Sequence, residues 1–255
     1  FNGCITSRTP RPYLDTRFFE FRWGDTAAGN RIIDAQYWSA TQYVGRTMDN
    51  QPTVFGVNFA DGRIKGYPRD RARIGGTATH FVRYVRGNPS YGVNKFVDNG
   101  DGTVSDLATG LMWTKADSGK TLNWQQSLAW AEGLKLAGHD DWQLPDAKQL
   151  QSIVDYSRAP DATDPARRGP AIDPVFAMTD PEGWFWSGTT HLDGRVLGAS
   201  GVYVAFGQAT GFMTDRRTGR KTKMNVHGAG AQRSDPKSGD PKNWPEGFGP
   251  QGDER

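Results

Sequence analysis

The stretch Arg216-Arg217-Thr218-Gly219-Arg220-Lys221-Thr222-Lys223 sets five cations among eight residues, the densest run of positive charge in the chain. Arg69, Arg71 and Arg73 form a second cluster. An arginine guanidinium forks two N–H groups onto a sulfate, carboxylate or phosphate, and lysine adds a compact point charge. The chemistry on offer is therefore capture of an anion. The ligand-binding set expected from residue type is Arg216, Arg217, Arg220, Lys221, Lys223, Arg69, Arg71 and Arg73. A charge run is also the ordinary composition of a solvated loop, and the residues by themselves leave both readings open.

Other constellations are weaker. Asp98, Asp101 and Asp106, with Asn99, could crowd around Ca²⁺, which takes six to eight oxygen ligands. Gly100 stands where an EF-hand loop would place an oxygen ligand, and the closing Glu is missing. Asn99-Gly100 and Asp101-Gly102 supply the positive φ angles of tight hairpin turns without any metal, so no metal is the expectation. His80, His139, His191 and His227 share no paired ligand spacing, and no Gly-x-Ser-x-Gly elbow occurs. Asp140-Asp141 suits a helix approach better than an acid/base pair. Cys4 is the lone cysteine, which excludes an intrachain disulfide and a cysteine zinc site. Without convergent groups, no enzyme activity and no cofactor are expected.

The elements that would carry these residues are mostly short strands. In 255 residues there are 32 Gly and 15 Pro, too many for long helices, while 9 Trp, 8 Tyr and 13 Phe can build a core. The net charge of +3 is far from the positive stripe of a nucleic-acid binder, and none is expected as partner. No apolar run reaches the roughly 20 residues of a membrane helix. Two blocks share one pattern: Tyr37-Trp38-Ser39-Ala40-Thr41, then Val54 to Phe59, Ala60-Asp61-Gly62 and Arg63 to Tyr67; and Phe185-Trp186-Ser187-Gly188-Thr189, then Val202 to Gly207 and Ala209 to Met213. Each places Trp-Ser-x-Thr before a predicted pair of strands, which argues an internal repeat. In both, the Trp is expected in the core and the hydroxyls on local backbone.

Alternation also predicts strands at 81–86, 95–98, 103–106 and 111–114. Asn123 predicts a helix over 124–136 stopped by Gly138, and an Asp146/Gln149 capping box a second over 146–156. Trp142-x-Leu144-Pro145 reads as the aromatic anchor of that helix start rather than a ligand platform. No matching helices precede Tyr37, so the first unit reads as N-terminally incomplete. From residue 235 the Pro/Gly-rich chain predicts loop or tail.

Gly138-His139-Asp140-Asp141-Trp142-Gln143-Leu144-Pro145-Asp146-Ala147-Lys148-Gln149-Leu150, with Phe96 to Val104 and Ala108 to Trp113, resembles a bacterial family. That family is typified by the C-terminal domain of the Legionella collagen-like adhesin. Pro170 to Phe176, Trp186 to Thr189 and Val226 to Ser234 extend the resemblance over roughly residues 93–234, with 15–87 as a partial second copy. The resemblance implies a fold related to C-type lectins and formylglycine-generating enzymes, export, and binding of glycans or other surface polymers. Two departures stand out. Tyr84 replaces a Cys that many members carry, and the second unit shows no closing strand like 81–86, which then lies beyond Arg255 or comes from another chain.

The combined expectation is an α+β, C-type-lectin-like chain of two tandem related units: 1–90 incomplete, 91–234, and a tail at 235–255. The predicted role is an exported, non-catalytic binder of anionic polysaccharide or another surface polymer, at the cell surface, in the periplasm or outside the cell. The alternatives are a structural or assembly component of the envelope or an extracellular array, with a protein partner or self-association supplying a strand, and, less favoured, a formylglycine-generating-type enzyme.

Overall fold

The computed structural model describes residues 9–70, 79–192, 196–214, 218–239 and 251–253. Its centre is a six-stranded sheet drawn from both blocks. The first block gives β1 (Gln36–Gln42), β2 (Thr53–Asn58) and β3 (Arg63–Pro68). A separate three-stranded sheet follows: β4 (Phe96–Asp98), β5 (Thr103–Asp106) and β6 (Leu111–Thr114). Next come the helices α1 (Trp124–Glu132) and α2 (Ala147–Ser152). The second block gives β7 (Trp184–His191), β8 (Ser200–Ala205), β9 (Thr210–Thr214), β10 (Lys221–Asn225) and β11 (Gln232–Pro236), and β12 (Gln251–Asp253) ends the described chain.

The central sheet runs β1-β2-β3-β11-β8-β7, antiparallel throughout, and the halves meet at Gln232 opposite Ile64. The halves share their register. Gln36, Tyr37 and Trp38 face Asn58, Val57 and Gly56, while Trp184, Phe185 and Trp186 face Ala205, Val204 and Tyr203. Each ladder then slips at the Trp-Ser-x-Thr element and resumes at Gln42 opposite Val54 or Thr190 opposite Gly201. Inside each slip the serine hydroxyl donates to the next strand, Ser39 Oγ to Phe55 O (2.7 Å) and Ser187 Oγ to Val202 O (2.9 Å). It also accepts the backbone N–H two residues on, from Thr41 (3.1 Å) and Thr189 (3.3 Å). Three residues thus oppose one in the same way at both outer strands, the irregularity of a bulge.

One sheet face carries Phe55, Ile64, Val204 and Phe185 onto Leu150, Ile153, Val154, Ala171 and Ile172. Burying each of the larger apolar groups contributes about 1.5–3 kcal/mol. On the opposite face Trp184 stacks on Tyr203 with centroids 4.8 Å apart. The β4-β5-β6 sheet joins the core through Phe96 and Trp113.

Both helices start with capping boxes, at Asn123/Gln126 and Asp146/Gln149, and both end earlier than the sequence predicts. Gly133 caps α1, and Gly138, with φ of 78°, instead serves the turn in which Leu136 pairs with His139. After Ser152 the backbone of Val154 pairs with Ile172, which competes with helix. The predicted strand over 81–86 reduces to one bridge: Phe81 N–H donates to Gln36 O and Trp38 N–H to Phe81 O, each at 2.9 Å. Residues 82–86 are exposed and lie outside any strand. The expected hairpin after β8 does not form either. After bends at Phe206 and Gly207 the chain enters β9, which pairs with β10, and β11 fills the place beside β8. Strand residues occur within 235–255, where only loop or tail is predicted: Pro236 ends β11, and β12 pairs with β9.

Candidate binding surface

Hairpin β9–β10 carries the described part of the basic run. In an antiparallel ladder, facing residues and every second residue share a side. Lys223 faces Phe212 and Lys221 faces Thr214, so Lys221, Lys223 and Phe212 lie on one side of the hairpin. All three are exposed. Arg220 is exposed at the tip, where Gly219 turns the chain with φ of 69°. Arg216 and Arg217 lie outside the described residues. Near the base, Glu182 accepts the Gln208 N–H at 2.6 Å. Burial pushes the Glu182 carboxyl up, while that N–H and the charge of Lys223 pull it down.

Arg69 sits just past β3, and its guanidinium holds Asp70 through Nε–Oδ1 and Nη2–Oδ2, both 2.8 Å. That pair is exposed, so its charge is largely matched within two residues. Arg71 and Arg73 lie outside the described residues. The structure therefore brings Arg220, Lys221 and Lys223 together on one element and shows Arg69 already engaged.

A cluster that the sequence reading missed roots the hairpin. Asn225, at the end of β10, donates Nδ2 to Tyr43 OH (2.9 Å) and to Asp161 Oδ2 (3.0 Å), while its Oδ1 accepts the Gly228 N–H (2.9 Å). Tyr43 OH also donates to Asp161 Oδ1. Burial, the Asp161 charge and this hydrogen bond push the Tyr43 hydroxyl far above its ordinary range. Gly45 makes room, since a Cβ there would lie 2.6 Å from Asp161 Oδ1. The three groups come from residues 43, 161 and 225, and no local spacing links them.

A second buried cluster ties the halves together. His191 Nε2 faces Asp61 O at 2.8 Å and its Nδ1 faces Ser234 Oγ at 2.9 Å. Arg63 donates Nη2 to Ser234 Oγ (3.1 Å) and Nη1 to the Asp61 carboxylate (3.0 Å). With the carbonyl of Asp61 taking the Nε2 proton, Nδ1 is left to accept from the Ser234 hydroxyl. The geometry differs from a catalytic triad: Asp61 meets the imidazole through its backbone, and its carboxylate belongs to Arg63. His191 is only 4% exposed. Desolvation, then the Arg63 charge, pushes its imidazole down to about 4. Asp61 is held below the usual carboxylate range: burial would raise it, but Arg63 and Lys65 outweigh that.

The three acidic residues weighed for calcium serve three separate turns. Asp98 pairs with Lys115 Nζ (2.6 Å) and accepts the Gly100 N–H, Asp101 accepts Thr103 N–H and Oγ1, and Asp106 accepts from Lys95, Ala108, Asn94 and Thr109. Among the described residues no group of three or more His, Cys, Asp or Glu could hold a metal ion, and no helix is long and apolar enough to cross a membrane.

These elements define a mostly-sheet α+β protein with two capped helices, whose basic hairpin is anchored by one buried polar cluster while a second joins the halves of the central sheet. Residues 102–225 match the family model of the Lcl C-terminal domain. That segment, from the β4–β5 turn to the end of β10, matches the family that the motifs anticipate and is consistent with an adhesin-like domain. No curated protein and no solved structure gives a significant match to the chain.

Proposed function

We propose that the chain is an exported, non-catalytic binding protein that holds an anionic glycan or similar surface polymer on the β9–β10 hairpin. In this reading the halves of the central sheet are tandem copies of one lectin-like unit. The observation that carries it is the placement of Lys221, Lys223 and Phe212 on one exposed side of a ladder, with Arg220 at its tip. Cations bind sulfate or carboxylate, and an aromatic ring among them suits the apolar face of a sugar. The matching register and serine bonds at β1 and β7 support the tandem reading.

The test is charge reversal at Arg220, Lys221 and Lys223 together, read as the salt needed to elute the protein from a heparin-like matrix. Elution should move to clearly lower salt, while Arg69→Glu should change it little because Asp70 already matches that charge. Unchanged elution of the triple variant refutes the site. A role as an assembly component is favoured by one specific feature, the exposed outer edge of β1.

A further inference from the structure

The shared register of β1 and β7 makes their outer edges directly comparable. At β7 that edge is covered from within the chain. Trp124 Nε1 donates to Ser187 O (2.9 Å), Gly188 N–H donates to Pro145 O (2.8 Å), and Thr189 Oγ1 accepts the Ala147 N–H (2.9 Å). The Leu144-Pro145-Asp146-Ala147 segment thus docks across the bulge just where α2 begins. By register the corresponding positions of β1 are Ser39, Ala40 and Thr41. Ser39 and Ala40 are exposed, and among the described residues nothing crosses that edge to bond the Ala40 N–H or Thr41 Oγ1. Described residues 9–35 contain no helix to play the part of α2. Phe81 occupies the edge one step earlier, at Trp38, and goes no further.

We propose that the outer edge of β1 at Ser39–Thr41 is a docking site for an extended Leu-Pro-Asp-Ala-type segment at the start of a capped helix, presented by another polypeptide. An open edge offers backbone groups that a partner's extended segment can complete. Here the chain itself displays the complement, on the equivalent strand. Side chains define which half of the β7 arrangement can be reproduced. A Cβ at Gly201 would lie 2.7 Å from Trp124 Cδ1, and the corresponding residue of the first half is Val54. An indole seated like Trp124 is therefore refused. A Cβ at Gly188 would lie 3.2 Å from Leu144 O, a contact that a shift of a few tenths of an ångström relieves. Ala40 therefore admits the Leu-Pro segment. The partner carbonyl accepts the Ala40 N–H, and a partner N–H two residues later donates to Thr41 Oγ1.

The probe is a synthetic peptide with the sequence of residues 138–152, titrated into the full chain while amide hydrogen exchange is followed at Ala40. Saturable binding with slowed exchange at Ala40 is expected, and Thr41→Val should weaken it about fivefold to tenfold through loss of one hydrogen bond. A second protein, with the same peptide joined to Phe1 through a flexible Gly/Ser linker, raises the effective concentration to about millimolar and reads weak docking. Unchanged Ala40 exchange in the tethered protein overturns the proposal. So does equal affinity for Thr41→Val, or a peptide that alters exchange only at Gly188, where it would be displacing its own counterpart.

Discussion

Substituting Asn225→Asp tests the root of the basic hairpin with almost no change of shape. Asn225 is 8% exposed, and its Nδ2 lies 3.0 Å from Asp161 Oδ2. The new oxygen would replace a donor by an acceptor and set a second carboxylate against the first. Two unit charges about 3 Å apart interact by roughly 5 kcal/mol at an effective dielectric of 20. A carboxyl that can take up a proton escapes part of that cost. The loss near neutrality is therefore a few kcal/mol, smaller than that bare repulsion. The sign follows from proton counting. The folded variant holds a proton that the unfolded chain releases near pH 4, so its stability falls as pH rises above about 4. Urea unfolding at pH 8 should show the full loss relative to the natural chain, and at pH 4.5 most of it should vanish. Retention on a heparin-like matrix should weaken at pH 8 in parallel, because the hairpin base is loosened while Lys221 and Lys223 remain. Equal stability of Asn225→Asp and the natural chain at both pH values would refute the cluster as the hairpin's anchor.

Two further outcomes follow from the buried polar groups. His191 is neutral in the fold and pushed down to about 4, against roughly 6.5 unfolded. The unfolded state therefore binds the extra proton first: this contribution is fully present above about pH 6.5 and is lost as pH falls toward 4, about 3 kcal/mol at most. His191→Gln should flatten that part of the stability–pH curve in urea titrations, and an unchanged slope would remove His191 as its source. Ser187 is 0% exposed whereas Ser39 is exposed. Ser187→Ala should cost about 1–3 kcal/mol by leaving buried groups unmet, and Ser39→Ala less than about 1 kcal/mol because water can replace the hydroxyl. Equal midpoint shifts on denaturation would show that burial does not separate the two bulges.

Local signals carried the short-range structure. Asn123 and Asp146 are each followed three residues later by Gln, and both form capping boxes because that chemistry closes within one turn. Asn99-Gly100-Asp101-Gly102 makes its turn with both glycines at positive φ. Alternation located the cores of β2 and β3, and repeated Trp-Ser-x-Thr marked two elements whose serines make matching bonds, although both elements are themselves strands, β1 and β7. Alternation also predicted a strand at 81–86, of which only Phe81 joins β1: a strand-like pattern does not by itself make a ladder. Gln232-Arg233-Ser234-Asp235-Pro236 shows no apolar alternation, yet it lies between β3 and β8. Its place is set by neighbours on both sides rather than by its own pattern.

The amino-acid order by itself determined what closes within a few residues: caps, turns, strand periodicity, and a basic run whose charge needs no partner to exist. Tertiary structure alone decided which strands meet at Ile64 and Gln232, why Tyr43, Asp161 and Asn225 converge, and why among the described residues the Ser39–Thr41 edge stays open while Ser187–Thr189 is covered. Those outcomes depend on side chains separated by tens to hundreds of positions. Only the folded backbone sets the distances between such groups, and no local spacing encodes them.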